Sequence, residues 1–125
     1  MKDIQIKRVF DKAHPDDGFR VLVDRVWPRG MTKEKVNADL WMKKLAPATS
    51  LRKWFAHDPE KWDEFKYRYC KELDNNSDAI KQLLDKAGKQ RLTLLYSARD
   101  TRHNQAIALK DYLLVYTHGQ SRQRK

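Results

Sequence analysis

The chain has 125 residues, a size that fits a single domain with one hydrophobic core. Its composition is 40% hydrophobic and 35% charged with a mean hydropathy of −0.91, and no apolar run is long enough to span a membrane, so an integral membrane protein is not expected. The formal net charge of +10 favours anionic partners, while a lone cysteine and the lack of an apolar stretch after Met1 favour a cytoplasmic location.

The first two predicted elements are β-strands. Isoleucines alternate with polar residues over 3–9, a pattern that predicts a strand with one face inward. A turn at 14–18 separates it from 19–26, a β-branched run typical of a strand covered on both faces. The second strand is predicted to end at Trp27-Pro28-Arg29-Gly30, because proline lacks a ladder donor and glycine permits a sharp bend.

The middle of the chain is helical in pattern but interrupted. Thr32 is suited to cap a short helix, and Pro47 breaks any longer one. Either Thr49 or Ser50 is then predicted to cap a second short helix that carries Phe55.

Three longer helices and a strand are predicted next. Asp58 is a good N-cap and Pro59 suits a first helical position, so one helix is predicted to begin there. A second helix ends at Gly88, the apolar run Leu92–Tyr96 is predicted to be a buried strand, and a final helix follows the turn at 97–101. The predicted buried faces of these three helices consist of Trp62, Phe65, Tyr69 and Leu73; of Ile80, Leu83, Leu84 and Ala87; and of Ala106, Leu109, Leu113 and Tyr116.

These elements predict a single α/β domain over residues 1–117, with a small, mostly parallel sheet of about three strands flanked by helices. The two most apolar strands are separated by a helical excursion, so we expect them to be parallel and joined by a right-handed crossover. Residues 118–125 contain no apolar side chain to pack and are predicted to form a disordered basic tail.

This topology predicts where a site would lie. The carboxyl ends of neighbouring parallel strands open onto the loops that bind ligands, because helix N-termini and backbone amides converge there. The segments 24–30 and 97–101 are therefore expected to lie side by side. The candidate ligand-binding residues are Asp24, Arg25, Arg29, Ser97, Arg99, Asp100 and Asn104.

The chemistry of these side chains favours an anionic ligand. The arginines are permanently charged, forked donors suited to phosphate or carboxylate, and Ser97 offers a hydroxyl. The two aspartates are suited to orient an arginine or a hydroxylated ligand. Structural alternatives stay open: Asp100 as a cap of the last helix, Asp24 as an ion-pair partner of a nearby arginine, and Asn104, one turn into that helix, as a residue facing water.

The pattern gives no support for metal or cofactor chemistry. The four histidines are dispersed, and no cysteine and histidine spacing resembles a zinc or iron site. The four glycines form neither a dinucleotide fingerprint nor a Walker loop. The paired Asp16 and Asp17 lie in a predicted turn and are expected to be solvated. We therefore expect no metal and no cofactor, and the sequence leaves open whether the protein is an enzyme.

Three stretches of the chain resemble a known family. They are Gly18–Gly30, with its Asp-Arg-x-Trp-Pro-Arg-Gly run, Leu51–Phe55 followed by His57, and Leu92–Asp100. Together they resemble the YeaO-like branch of the family called domain of unknown function 488, over nearly the whole chain apart from the basic tail. The wider family has a Cys-His-Arg-type helix start after the strand that corresponds to Leu92–Tyr96, whereas this chain has no cysteine at 101–104. This departure argues against thiol chemistry in this branch.

The function expected from these patterns is binding of a small anionic, phosphate- or nucleotide-like molecule at the strand-end loops. The alternative is a nucleic-acid-binding accessory protein that uses the basic surface and tail, whose binding would weaken steeply with salt. A third hypothesis is a protein-interaction module marked by an exposed apolar patch. The sequence leaves the oligomeric state open.

Overall fold

The computed structural model describes residues 3–123, and side chains are described for residues 3–118. These residues form one parallel sheet flanked by helices, which confirms the predicted α/β class. The strands are β1 (Ile4–Arg8), β2 (Phe19–Leu22), β3 (Leu40–Trp41) and β4 (Leu92–Tyr96), in the spatial order β1-β4-β2-β3. The helices are α1 (Lys33–Val36), α2 (Thr49–Phe55), α3 (Trp62–Asp74), α4 (Ser77–Ala87) and α5 (Gln105–Gln123).

The two strands predicted to be the most buried, β2 and β4, lie at the centre of the sheet. They are parallel, as predicted, and Phe19 pairs with Leu92 while Leu22 pairs with Leu95. The sheet has four strands where the sequence predicted about three. The additional strand is the two-residue β3, which lies at the edge beside β2 and interrupts the helical pattern predicted for that part of the chain.

The predicted length of the second strand is wrong, because β2 ends at Leu22 and does not continue to residue 26. The Val23 N–H still donates to the Leu95 carbonyl at 3.0 Å, but the chain then leaves the sheet. The Asp24 carbonyl accepts a hydrogen bond from the Trp41 indole N–H at 2.7 Å. A side chain thereby occupies an acceptor that a longer strand would offer to a neighbouring strand.

The core consists of two clusters, one on each face of the sheet. The larger cluster contains Val21, Leu92 and Leu94 and is completed by side chains of α2 to α5. The smaller cluster contains the intervening Leu22 and Leu95 and is covered by the segment between β2 and β3. Alternate residues of each central strand thus face opposite clusters, as the predicted burial on both faces requires.

The start of α3 differs from the prediction. Asp58 does cap a backbone N–H, that of Glu60 at 3.0 Å, but it caps a short 3-10 turn, and α3 begins only at Trp62. The predicted apolar stripe is otherwise confirmed, with Trp62 half-buried at its start and three buried residues, Phe65, Tyr69 and Leu73.

The caps of α1 and α2 show one confirmed and one wrong prediction. Thr32 caps α1, since its hydroxyl accepts the Lys35 N–H at 3.1 Å. Neither Thr49 nor Ser50 caps α2, because the N-cap position is occupied by Ala48. The Ala48 N–H is instead satisfied by the Glu72 carboxylate of α3 at 2.9 Å, a partner that local sequence patterns cannot reveal.

The end of α5 coincides with the predicted basic tail. The bounds of α5 run to Gln123, whereas residues 124 and 125 and the side chains beyond His118 lie outside the described part of the chain. Disorder of residues 118–125 therefore stays a prediction. Within residues 3–123, no helix is both long and apolar enough to cross a membrane.

Candidate functional site

A cleft of about 470 Å³ opens where β2 and β4 end. Its walls come from the loop that follows β2, from α2, and from the segment that joins β4 to α5. The cleft lies where parallel strands leave a sheet and open onto their loops, which is the position predicted from the topology.

The structure brings most of the predicted residues together. Arg99 and Asp100 do not line the cleft, and the Arg99 side chain is exposed. The predicted residues that do line it are Asp24, Arg25, Arg29, Ser97 and Asn104.

Asp24 connects the ends of both central strands to the last helix. One carboxylate oxygen accepts the Ser97 hydroxyl at 2.6 Å, and the other accepts the Gln105 side-chain N–H at 2.5 Å. Asp24 is only 7% exposed, and this burial raises its pKa, although the hydrogen bonds from Ser97 and Gln105 and the charge of Arg52 oppose the rise. Asp24 is thus hydrogen-bonded to neutral side chains and does not form the ion pair considered as an alternative.

The segment between β4 and α5 is fixed by a series of side-chain hydrogen bonds. Asp100 accepts the N–H groups of Arg102 at 2.8 Å and His103 at 3.0 Å, and these bonds hold its pKa below the usual range. Asn104 accepts the Ile107 N–H at 3.1 Å and is buried just before α5 begins. The cap of α5 is therefore Asn104, not Asp100, and the prediction that Asn104 lies one turn inside the helix is wrong.

The cleft is rich in positive charge. Arg25 is partly engaged, since its Nε donates to the Pro47 carbonyl at 3.1 Å. Arg29, Arg52 and Lys53 are exposed residues lining the cleft, and none of them forms an ion pair with another residue in the described part of the chain. These three cationic groups remain accessible to an incoming anion.

Several lining residues come from α2 and the turn after it and were missed by the sequence-based prediction of the site. Arg52, Lys53 and His57 belong to this set. Their signal in the sequence was the family resemblance of Leu51–Phe55 and His57, but no pattern showed that α2 packs beside the strand ends. Both His57 and its neighbour Ala56 adopt left-handed backbone conformations, with φ of 57° and 47°, so the chain leaves α2 through a strained turn at the cleft.

Aromatic rings form the floor of the cleft. Phe55 and Phe65 both line it, are 5% and 2% exposed, and stack with ring centroids 4.3 Å apart. Trp62 lies beside both rings, with its centroid 5.9 Å from that of Phe55 and 5.7 Å from that of Phe65. Its ring is also 5.4 Å from that of the lining residue His103, at nearly a right angle.

A metal centre is not indicated within residues 3–123. The described His, Cys, Asp and Glu side chains include no group of three or more placed to hold a metal ion.

Comparison with known proteins identifies close relatives. Residues 3–125 match the model of a family described as the inactive DUF488-N3 subclade. The chain is 46% identical over 111 residues to the uncharacterised protein YeaO of Escherichia coli K12. The aligned residues make up 89% of this chain and 96% of YeaO. It is 38% identical over 110 residues to the uncharacterised proteins Mb3100c of Mycobacterium bovis and Rv3073c of Mycobacterium tuberculosis, with 88% of this chain and 92% of each relative covered. No solved structure matches the chain.

Proposed function

The chain belongs to the DUF488 family as a YeaO-like member of its inactive DUF488-N3 subclade, and on that premise we propose that it binds a small anionic, phosphate- or nucleotide-like ligand in the cleft. The observation that carries the proposal is the charge of the lining. Among the described residues that line the cleft, Asp24 is the one carboxylate, whereas four side chains are cationic: Arg25, Arg29, Arg52 and Lys53.

The arrangement of these charges supports an anion more than a cation as the ligand. Both oxygens of Asp24 already accept hydrogen bonds and the residue is buried, so its carboxylate offers little accessible surface to a cation. Arginine guanidinium groups at the wall of a recess concentrate positive potential and form paired hydrogen bonds with phosphate or carboxylate. A volume of about 470 Å³ is within the range of small-molecule sites.

The description of the subclade as inactive favours binding without turnover, so we propose a binding protein and not a catalyst.

We also propose that the protein is cytoplasmic, because its one cysteine, Cys70, has no second cysteine in the chain for a disulfide.

The test is ligand-induced stabilisation measured with a charge-matched pair of variants. Inorganic phosphate and adenosine monophosphate are titrated at constant ionic strength into the wild type, Arg52→Ala and Arg99→Ala. We expect Arg52→Ala to weaken binding about tenfold or more, since a charge-assisted hydrogen bond contributes about 1.5–3 kcal/mol. A ligand that binds only the folded state raises the unfolding temperature, so the loss appears as a smaller shift.

Arg99→Ala is the control because it removes the same charge from a residue outside the cleft. We expect it to bind both probes as the wild type does. Equal weakening in the two variants would show that only the net charge of the protein matters, and an absence of any shift in the wild type would remove the proposal.

A further inference from the structure

The cleft has two chemically different walls, and this difference narrows the class of ligand. Exposed cationic side chains, Arg29, Arg52 and Lys53, form its rim. Buried aromatic rings, Phe55 and Phe65, form its floor. An anionic group is matched by the first wall only, and an apolar part of the same ligand would match the second.

The size of the cleft leads to the same conclusion. A cleft of about 470 Å³ is in the size range of sites for small organic molecules. An inorganic anion of five heavy atoms would leave most of that space, including the apolar part of its lining, to water. A ligand with a body attached to its anionic group would displace this water from an apolar surface, which is favourable.

The shape of the floor favours a planar body. The Phe55 ring stacks against the Phe65 ring, and the centroid of the His57 ring lies 6.3 Å from that of Phe55. At the edge of the same cleft Val26 is 62% exposed and adds apolar surface to the lining. Aromatic rings pack against one another with a gain beyond simple burial.

The charge balance favours a dianion. Four cations and one buried carboxylate leave a formal excess of three positive charges around the cleft, within the described residues. A phosphomonoester carries close to two negative charges above its second pKa of about 6, whereas a carboxylate carries one. A dianion neutralises more of this excess.

We propose that the ligand is an aromatic phosphomonoester, with its phosphate at the Arg29, Arg52 and Lys53 rim and its ring against Phe55. This inference rests on the proposed function, since it specifies the ligand of the same cleft. It adds two requirements that anion binding alone does not make, namely a ring and a second negative charge.

Three small probes separate these requirements when their affinities are measured by isothermal titration calorimetry at about pH 8, where a phosphomonoester is a dianion. Methyl phosphate has the dianion without a ring, benzoate has a ring with a single charge, and phenyl phosphate has both. We expect phenyl phosphate to bind about tenfold tighter than either of the others, the ratio expected when a large part of a phenyl surface leaves water.

Variants at two exposed valines test where the ring binds. Val26→Ser replaces an apolar side chain at the edge of the cleft with a polar one. Val115→Ser makes the same change on α5, at a residue that is 74% exposed and does not line the cleft. We expect Val26→Ser to weaken phenyl phosphate about threefold and to leave methyl phosphate unchanged, and Val115→Ser to change neither. Phe55→Leu is a second variant that should reduce the preference for the ring, because it removes the contact between rings but keeps the floor apolar. The Val26 pair remains informative if this core substitution impairs folding.

The outcomes separate this inference from the proposed function. Equal affinities for methyl phosphate and phenyl phosphate, both reduced in Arg52→Ala, would overturn the aromatic ligand and leave anion binding intact. Benzoate binding as tightly as phenyl phosphate would overturn the dianion. If none of the three probes bound, the proposed function would fail together with the inference.

Discussion

Two buried aspartates have opposite pKa shifts because their partners differ in charge. Burial raises the pKa of Asp17, but the hydrogen bond from the His14 N–H and the cations Lys7 and Arg20 outweigh it and bring the pKa to about 2. Burial raises the pKa of Asp24, whose hydrogen-bond partners are neutral and oppose the rise only in part. The expectation that Asp17 is solvated is wrong, since it is 3% exposed and binds the sheet through Lys7 and Arg20.

Asp17→Asn is expected to destabilise the protein by about 3–5 kcal/mol near neutral pH, because it leaves the buried Arg20 guanidinium without its carboxylate. The lowered pKa of Asp17 fixes the pH dependence. The carboxylate stabilises the fold fully above about 3.8, its usual pKa, and this contribution of about 2 kcal/mol is lost as pH falls through about 2. Urea unfolding between about pH 5 and about pH 2.5 should therefore show the difference between wild type and variant shrinking with acid.

The control for this prediction is Asp16→Asn, which changes the neighbouring carboxylate, whose side chain is 82% exposed. It should alter the free energy of unfolding by less than about 0.5 kcal/mol, as exposed substitutions do. A wild-type and Asp17→Asn difference that stayed constant down to the lowest pH would contradict the assigned role of Asp17.

At the scale of the elements, β2 begins where the chain passes very close to the residue before β4. Gly18 has φ of 68°, and a Cβ placed there would lie 2.3 Å from the Arg91 carbonyl oxygen. That oxygen also accepts the Phe19 N–H at 2.8 Å, which starts the pairing of β2 with β4. Glycine is therefore required at this position both by backbone conformation and by the contact with β4.

Gly18→Ala is expected to cost about 2–5 kcal/mol, the sum of an unfavourable backbone conformation and a clash with main-chain atoms that cannot move aside. Gly30→Ala is the matched variant, because Gly30 also has a positive φ, 77°, but nothing lies within 4 Å of the added methyl group. It should cost only about 1–2 kcal/mol. Chemical denaturation of both variants checks the prediction, which fails if their free energies of unfolding fall by the same amount.

At the scale of the whole molecule, the net charge of +10 is the feature that supports nucleic-acid binding as an alternative function. Charge of this kind produces contacts with phosphates that are independent of sequence and are weakened by salt. Part of the positive charge is concentrated in the cleft, where a small anion reaches it directly.

We expect the full chain to bind labelled duplex DNA no tighter than about 10⁻⁶ M at roughly 0.15 M salt, with affinity falling steeply as salt increases. Arg52→Ala and Arg99→Ala should weaken this binding equally, since each removes one charge from a non-specific contact. Fluorescence anisotropy over a salt series provides the measurement. A dissociation constant below about 10⁻⁸ M at that salt, or a loss confined to Arg52→Ala, would instead identify a specific nucleic-acid interface.

The sequence by itself determined the parallel β2 and β4, the buried stripe of α3, the family, and the edge of the sheet where a cleft would open. The family is identified by its resemblance over the residue runs at 18–30, 51–57 and 92–100. The other features depend on periodicity, on local hydrogen bonds and on the rule that parallel strands end together, all of which can be read along the chain. Periodicity shows that a face is apolar, but it does not show which other element covers that face.

Only the tertiary structure decided the rest of the site. It placed Arg52, Lys53 and His57 beside the strand ends, because the packing of α2 depends on contacts with residues distant in sequence, such as the bond from Ala48 to Glu72. It also separated Asp17 from Asp16, burying one and exposing the other, since the cations that compensate a buried carboxylate come from β1 and β2. Helix placement and charge burial are set by partners across the fold, so the composition of the cleft could not be obtained from the chain alone.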